Sequence, residues 1–357
     1  MSLSSTLVPS RIVEVKAVAE DCVGVRLRVP DDAREAFRFR PGQFLTVQAE
    51  LDGEKVRRTY SICSRSGDED LRIAIKRVPG GRFSDYAQRS LEAGMQLDLL
   101  PPQGFFGKQA TEGDVVAFAA GSGLTPMLSI ADELLSQQPD ARFFLFVGNR
   151  TQRHILLREE LEELKDRYPD RFACFHILSR EATLVDWQNG RVDGKLIRET
   201  LPRVVRTATV SRYLVCGPED MMRDVVDALT GLGVPETKID IEHFSPTQAR
   251  PAGIPPKRES DDSAPPSQRL TVRLATVQRA VDHRADSSLL DSLLAKGVDA
   301  PYSCRAGMCA TCTARVVTGD VRMVNNYALS RDEVRSGLVL TCQAFCASGD
   351  VDLDFDT

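Results

Sequence analysis

Five of the nine cysteines stand after residue 300, and three of them, Cys304, Cys309 and Cys312, are spaced C-x4-C-x2-C ahead of a distant fourth, Cys342. This is the spacing of a [2Fe–2S] ligand set, in which a tight loop lets two irons share bridging sulfides. The small residues Ala306, Gly307 and Ala310 between the thiols let backbone N–H groups point at sulfur, which helps set the reduction potential. A second reading pairs Cys309 and Cys312 with Cys342 and Cys346 as a structural zinc site, leaving Cys304 unused, and a third leaves the thiols unligated in a core. In the iron–sulfur reading Cys346 is a core cysteine in a strand. Thiolates in this number and spacing read as metal ligands rather than as a disulfide framework.

The remaining chain has room for more than this one module. At 357 residues two or three domains are expected. The net charge is −5 and no Lys/Arg block stands out, so no nucleic-acid partner is expected. The most apolar runs, Val115–Ala120 and Phe143–Val147, fall short of the roughly 20 residues a membrane helix needs, so no membrane partner is expected either. The N-terminus lacks the basic start and apolar run of a secretion signal, and a cytoplasmic location is expected. The four histidines, His154, His176, His243 and His283, are too dispersed for a His-rich metal site.

From Ser245 to Gln268 bulky apolar residues thin out and prolines gather (Pro246, Pro251, Pro255, Pro256, Pro265, Pro266). We read 246–268 as a Pro-rich linker, able to reach about 70 Å if extended as polyproline. Residues 269–357 then form the cysteine-rich module, whose terminal run Asp350–Asp356 alternates as a strand with its carboxylates outside. Upstream, Val23–Val29 and Leu71–Lys76 alternate apolar with mostly polar residues, and the Pro-Gly, Asp-Gly and Gly-Gly breaks predict an antiparallel β-barrel over 8–108. From Asp114 the apolar strands Val115–Ala120, Phe143–Val147, Phe172–Leu178 and Tyr213–Cys216 alternate with amphipathic helices. One helix carries Leu157, Leu161, Leu164 and Tyr168 on one face. Another carries Met222, Val225, Val226 and Leu229. This predicts a doubly wound parallel α/β domain over 109–245, of nucleotide-binding type.

Tyr302-Ser-Cys-Arg-Ala-Gly and the thiol spacing resemble the plant-type ferredoxins, which implies a β-grasp α+β fold carrying one electron, with Cys304, Cys309, Cys312 and Cys342 as ligands. Residues 8–245 resemble the ferredoxin–NADP reductase family. Arg58-Thr59-Tyr60-Ser61 looks like its flavin motif: Tyr60 as a wall for the isoalloxazine, Ser61 near the reactive N5 edge, Arg58 as charge for the pyrophosphate. Gly80-Gly81-Arg82-Phe83-Ser84 looks like its second flavin element, where backbone N–H groups meet phosphate at a helix start. Ser84 is expected as the N-cap, and FAD is favoured over FMN. Lys76, closing the strand before this element, is included with the cofactor-binding residues. Gly121-Ser-Gly123-Leu124-Thr125-Pro126 is similar to the family's coenzyme pyrophosphate turn, with Thr125 between nicotinamide and flavin. Cys216-Gly217-Pro218 is similar to its second nicotinamide element, with Cys216 beside the ring carbon that gives up hydride. Read without the family, the glycine turn serves packing and Cys216 is a small core hydrophobe.

Glu242-His243-Phe244 closes the region as in family members, with Phe244 covering the flavin. Ser179-Arg180-Glu181 looks like the 2′-phosphate clamp, with Arg150 placed to assist, which favours NADPH over NADH. The resemblance implies catalytic roles for Ser61, Thr125 and Cys216, and electron flow from NADPH through FAD to the cluster and on to a terminal oxygenase. Reductase first and ferredoxin last resembles the reductase components of bacterial phenylacetyl-CoA epoxidases, and also those of Rieske-type oxygenases such as ketosteroid hydroxylases. A reading from another class is a non-redox scaffold with a zinc-stapled tail. The oligomeric state has no signature in the sequence.

Overall fold

The structure, a computed structural model, describes residues 7–108, 110, 112–244, 268–284 and 286–356. Two compact units divide it: Leu3–Phe244, which holds two sheets, and a second that includes Ser245–Thr357 and holds a third. The expected linker lies outside the described residues, except Gln268, which opens a strand.

In the first unit, strands β1 (Val8–Ala19), β2 (Cys22–Arg28), β3 (Phe44–Leu51), β4 (Glu54–Ser61), β5 (Leu71–Lys76) and β6 (Gln96–Gln103) pair antiparallel in the order β4-β3-β6-β1-β2-β5. The sheet closes on itself where Ile62 bridges Ile73 and the Cys63 N–H donates to the Arg72 carbonyl at 2.8 Å. Asp52 and Gly53, at φ 54° and 77°, make the β3–β4 hairpin, since a two-residue turn matching strand twist needs positive φ at both positions. Val25, Leu27, Leu45, Val47, Ile73, Ile75 and Leu99 fill the interior. Helix α1 (Arg82–Ser90) lies between β5 and β6.

The expected alternation holds only at the far end of β2. Cys22 to Val25 are all buried, because Cys22 on the outer face, with Ala74 of β5, joins the apolar cluster of the second sheet. A two-sided strand hides its period once a neighbouring layer covers its wet face.

That second sheet comprises β7 (Asp114–Ala120), β8 (Phe143–Asn149), β9 (Phe172–Leu178), β10 (Val210–Cys216) and β11 (Ile239–Glu242), all parallel, in the order β11-β10-β7-β8-β9. Helices α2 (Leu124–Gln137), α3 (Arg158–Arg167), α4 (Gly194–Val204) and α5 (Glu219–Gly231) connect them. The chain leaves β7 toward β8 on one side and returns to β10 on the other, so the sheet reverses direction between β7 and β10. In doubly wound sheets ligands bind at the strand C-termini beside that reversal. Leu157 stands before α3 as its left-handed cap (φ 50°), with Leu161 and Leu164 buried behind it.

The second unit contains β12 (Gln268–Leu274), β13 (Val277–His283), α6 (Leu289–Ala295), β14 (Thr313–Met323), α7 (Arg331–Arg335), β15 (Leu338–Leu340) and β16 (Ala344–Asp354). The order β13-β12-β16-β14-β15, with β12 and β16 parallel and the other pairs antiparallel, is a mixed sheet of β-grasp type. Ser288 caps α6 by accepting from the Asp291 N–H, and Leu289, Leu290 and Leu293 seal it onto the core. The terminal strand departs from its expected pattern. Asp354 is 6% exposed and paired with Arg273, because β16 ends inside the sheet between β12 and β14.

Candidate active site and cluster centre

In the first unit the residues predicted for the coenzyme, Gly121–Pro126 and Cys216–Pro218, gather at the C-terminal edge of the parallel sheet, with Lys76 of the barrel beside Gly121. Gly121 leaves β7 at φ 55°, a left-handed value that glycine adopts without strain, and the turn leads through Gly123 into α2. A Cβ on Gly123 would lie 2.1 Å from the Cys216 carbonyl oxygen and 3.1 Å from its sulfur. The turn after β7 and the end of β10 are thus packed backbone against backbone, with room at position 123 only for the glycine hydrogen. At Gly217 a would-be Cβ meets the Met221 side chain first, at 2.7 Å, and stands 3.3 Å from the Ala120 nitrogen. Pro218 precedes α5, and its carbonyl accepts from the Met222 N–H at 3.0 Å.

Thr125 is 2% exposed, and its hydroxyl donates to the Ser122 carbonyl at 2.9 Å, pinning the first turn of α2. Leu124 and Pro126 are buried beneath the turn, Leu124 within the core cluster. Cys216 is fully buried, and desolvation followed by the nearby Glu242 charge pushes its thiol well above the ordinary range. Glu242 pairs with Cys216 in the β10–β11 register, and burial raises its carboxyl to about 8. The closing Glu242-His243-Phe244 run gives a role to Phe244 alone; it is the β10–β11 register that sets Glu242 beside Cys216. Phe244 packs half-buried on the same core cluster.

In the barrel, β4 carries exposed Arg58, half-buried Thr59 and Tyr60, and buried Ser61. The Tyr60 ring lies 5.8 Å from that of Phe83 at 37°, so a fully buried side chain of α1 sets its tilt. Burial raises the Tyr60 phenol further. Gly81 directly precedes α1, and its Cβ would lie 2.5 Å from the Ser84 hydroxyl.

The expectation that Ser84 caps α1 is corrected. The helix begins at Arg82, and Ser84 lies inside its first turn, accepting from the Val78 N–H (3.1 Å) and donating to the Gly81 carbonyl (3.1 Å). The hydroxyl therefore braces the glycine turn and leaves the helix's first N–H groups uncapped by any side chain. Arg82 is held toward the β3–β4 hairpin by Glu54 and the Leu51 carbonyl. Glycine turns closed by backbone contact, an aromatic wall, a buried hydroxyl and basic residues fit a dinucleotide flavin and a nicotinamide coenzyme.

Ser179 and Arg180 are exposed just past β9, tied to β8 by Ser179 N–H to Asn149 carbonyl (3.0 Å) and Arg180 N–H to Arg150 carbonyl (2.8 Å). The Glu181 carboxylate accepts from the Gln152 N–H at 2.9 Å. Lys76 ends β5 with its ammonium 3.2 Å from where a Gly121 Cβ would stand. Lys76 and Arg150 both pair with Asp21, in the β1–β2 turn.

In the second unit the four thiols interact as two pairs, Cys304 with Cys309 and Cys312 with Cys342. The Cys304 thiol is held below the ordinary thiol range by its Cys309 partner, with help from the Ala306 and Met308 N–H groups, each 3.4 Å from its sulfur. Arg305 and Ala310 at φ 56° and 55°, and Gly307 at 79°, curl the loop so that these N–H groups face inward. Among the described residues no three His, Cys, Asp or Glu side chains group around a single ion position. Two facing pairs are what a dinuclear cluster takes, two thiolates to each iron. Cys346 turns its thiol to the Gly349 carbonyl at 3.1 Å, away from the set the zinc reading needs.

A flavin barrel, a nucleotide-binding sheet and a cluster module define a flavin and iron–sulfur oxidoreductase. Three family profiles match in this order: oxidoreductase FAD-binding domain over 9–107, oxidoreductase NAD-binding domain over 118–227, and 2Fe-2S iron-sulfur cluster binding domain over 272–347. The chain is 39% identical to a component of the 1,2-phenylacetyl-CoA epoxidase of Escherichia coli (strain K12), across 97% of this chain and 96% of the relative. It is 31% identical to the ferredoxin reductase component of 3-ketosteroid-9-alpha-monooxygenase of Rhodococcus rhodochrous, covering 97% of each. Phthalate dioxygenase reductase shares the fold over 98% of both chains, with a TM-score of 0.60 and 23% identity. The chain belongs to this family of NAD(P)H-dependent reductases, which pass electrons through FAD to a [2Fe–2S] cluster.

Proposed function

We propose that this chain is the reductase component of a multicomponent oxygenase, delivering electrons to a phenylacetyl-CoA epoxidase complex. The observation that carries this reading is 39% identity sustained over 97% of the chain to a component of that enzyme. A ketosteroid monooxygenase is the second reading, on 31% identity over the same share. The test is reconstitution. Purified oxygenase components of each kind are supplied with this chain and NADPH, and coupled product formation is measured. Turnover with the epoxidase alone supports the first reading, and turnover with the ketosteroid enzyme alone replaces it.

The proposed division is 8–108 for FAD, 109–245 for coenzyme, 246–268 as linker and 269–357 for the cluster. When bound, the flavin accepts the coenzyme's hydride pair and the cluster passes electrons on singly. The chain's own residues supply placement. Tyr60, tilted by Phe83, walls the ring; Arg58, Thr59, Arg82 and the Gly81–Ser84 turn take the phosphates; Ser61 lies at the reactive edge; and Phe244 shields the ring until coenzyme arrives. Gly121, Gly123, Leu124, Pro126, Gly217 and Pro218 shape the coenzyme cradle, with Thr125 and Cys216 beside the nicotinamide. Ser179 and Arg180 favour NADPH, since Glu181 is engaged by the Gln152 N–H and Arg180 remains as the clamp's cation. Cys304, Cys309, Cys312 and Cys342 hold the cluster. Four reduced thiols fit a cytoplasmic location.

A further inference from the structure

We infer that Asp21 is an internal counter-anion of the coenzyme site, holding Lys76 and Arg150 until the coenzyme's phosphates take over as their partner. This rests on the reading above that the Gly121 turn and the cations around it receive those phosphates.

Asp21 sits in the β1–β2 turn, fixed from two sides. The Arg77 N–H donates to its carbonyl at 2.7 Å, and the neighbouring Glu20 N–H donates to the Arg153 carbonyl at 3.1 Å. One carboxylate oxygen, Oδ2, serves both cations: an Arg150 guanidinium nitrogen and, at 3.9 Å, the Lys76 ammonium. The other, Oδ1, is buried and has no hydrogen-bond partner among the described residues. Carboxylates accept through both oxygens when partners allow. Here two cations crowd one oxygen, and the orphaned one carries a desolvation cost without return.

The two cations lead to different parts of the coenzyme site. The Lys76 ammonium lies 3.2 Å from the Cβ position of Gly121, over the phosphate turn. Arg150 shares its peptide with the other end, its carbonyl accepting the Arg180 N–H at 2.8 Å. Both side chains keep partial exposure, 25% for Lys76 and 41% for Arg150, so each can change partner. Locally two positive charges face one negative. The arriving coenzyme gives each cation charge-assisted hydrogen bonds, its pyrophosphate to Lys76 and its 2′-phosphate to Arg150, and the fixed carboxylate then repels both groups. Asp21 therefore orients the cations in the free protein and weakens retention of the coenzyme once bound. It acts through Lys76 and Arg150 and is a positioning residue.

The test titrates flavin-loaded full-length protein with NADP+ and with NAD+, following the flavin difference spectrum at two ionic strengths. Asp21→Asn is expected to tighten binding about fivefold at low salt and to lose more of that affinity on adding salt, because the site's net positive charge has risen. Asp21→Ser gives the same reading should the amide fail to fold. Lys76→Met and Arg150→Ala should each weaken binding. If they do while both Asp21 variants bind no tighter, the counter-anion role is overturned and the phosphate site stands. If neither cation variant changes affinity, the phosphate reading fails and the inference with it.

Discussion

Gly123 and Cys216 meet across the sheet's reversal point at a separation no side chain can share: a Cβ at 123 would sit 2.1 Å from the Cys216 carbonyl oxygen. The contact is with backbone, so no rotamer change relieves it. Gly123→Ala should push the turn from the β10 end and slow coenzyme-driven flavin reduction by at least ~10-fold, at a stability cost of about 1–3 kcal/mol. Stopped-flow bleaching of the flavin band and a melting curve check the two parts. Wild-type reduction kinetics in the variant would refute the close-packed cradle.

The thiol geometry separates Cys346 from the other four. Cys304→Ser should lose the cluster's visible absorption and its iron, because it removes one of the four proposed thiolate ligands, the one whose sulfur the Ala306 and Met308 N–H groups face. Cys346→Ser should keep both, since its thiol faces the Gly349 carbonyl. Iron analysis and absorbance spectra distinguish the cases, and a Cys346 variant stripped of iron would reopen the zinc-type set.

Glu242 makes stability depend on pH in a stated direction. Its carboxyl is raised from 4.5 to about 8 by burial, so between those values the native state holds a proton that the unfolded chain has released. The native state is therefore penalised progressively as pH rises from 4.5 to about 8, with no further change above. Melting temperatures of wild type and Glu242→Gln across that range should diverge in favour of the variant as pH rises. Parallel curves would mean the carboxyl titrates normally.

Coenzyme choice is read at Arg180. Arg180→Ala should raise the KM for NADPH by about 10-fold or more while moving that for NADH little, the loss expected for a charge-assisted phosphate contact. An unchanged NADPH-to-NADH ratio removes the 2′-phosphate assignment.

Motif spacing and period carried most of this architecture into the sequence. Leu71–Lys76 is a strand over the range its alternation predicts, and the continuous apolar run Val115–Ala120 is the central parallel strand. What escaped was set by neighbours distant in the chain. Cys22–Val25 lost its alternation to a covering layer, and Asp354 is buried because its strand ends between two others. Ser84 looked like a cap, since a serine after Gly-Gly suits both a cap and a brace, and only its hydrogen bonds to Val78 and Gly81 choose. Asp21 resembled any turn aspartate, because its partners arrive from elsewhere in the chain, Lys76 at the end of β5 and Arg150 just past β8. Glu242 was visible beside Phe244, but its altered acidity comes from burial at the end of β11, which no local pattern encodes.

The most direct trial of the electron path is a low-temperature EPR spectrum of the anaerobic holoprotein after two equivalents of NADPH, four electrons for the three that flavin and cluster together accept. We predict a bleached flavin band together with the signal of a reduced [2Fe–2S] cluster, and no such signal in Cys309→Ser, whose flavin still bleaches and still reduces ferricyanide. A wild-type sample whose flavin bleaches while the cluster stays EPR-silent, even after dithionite, would contradict the account.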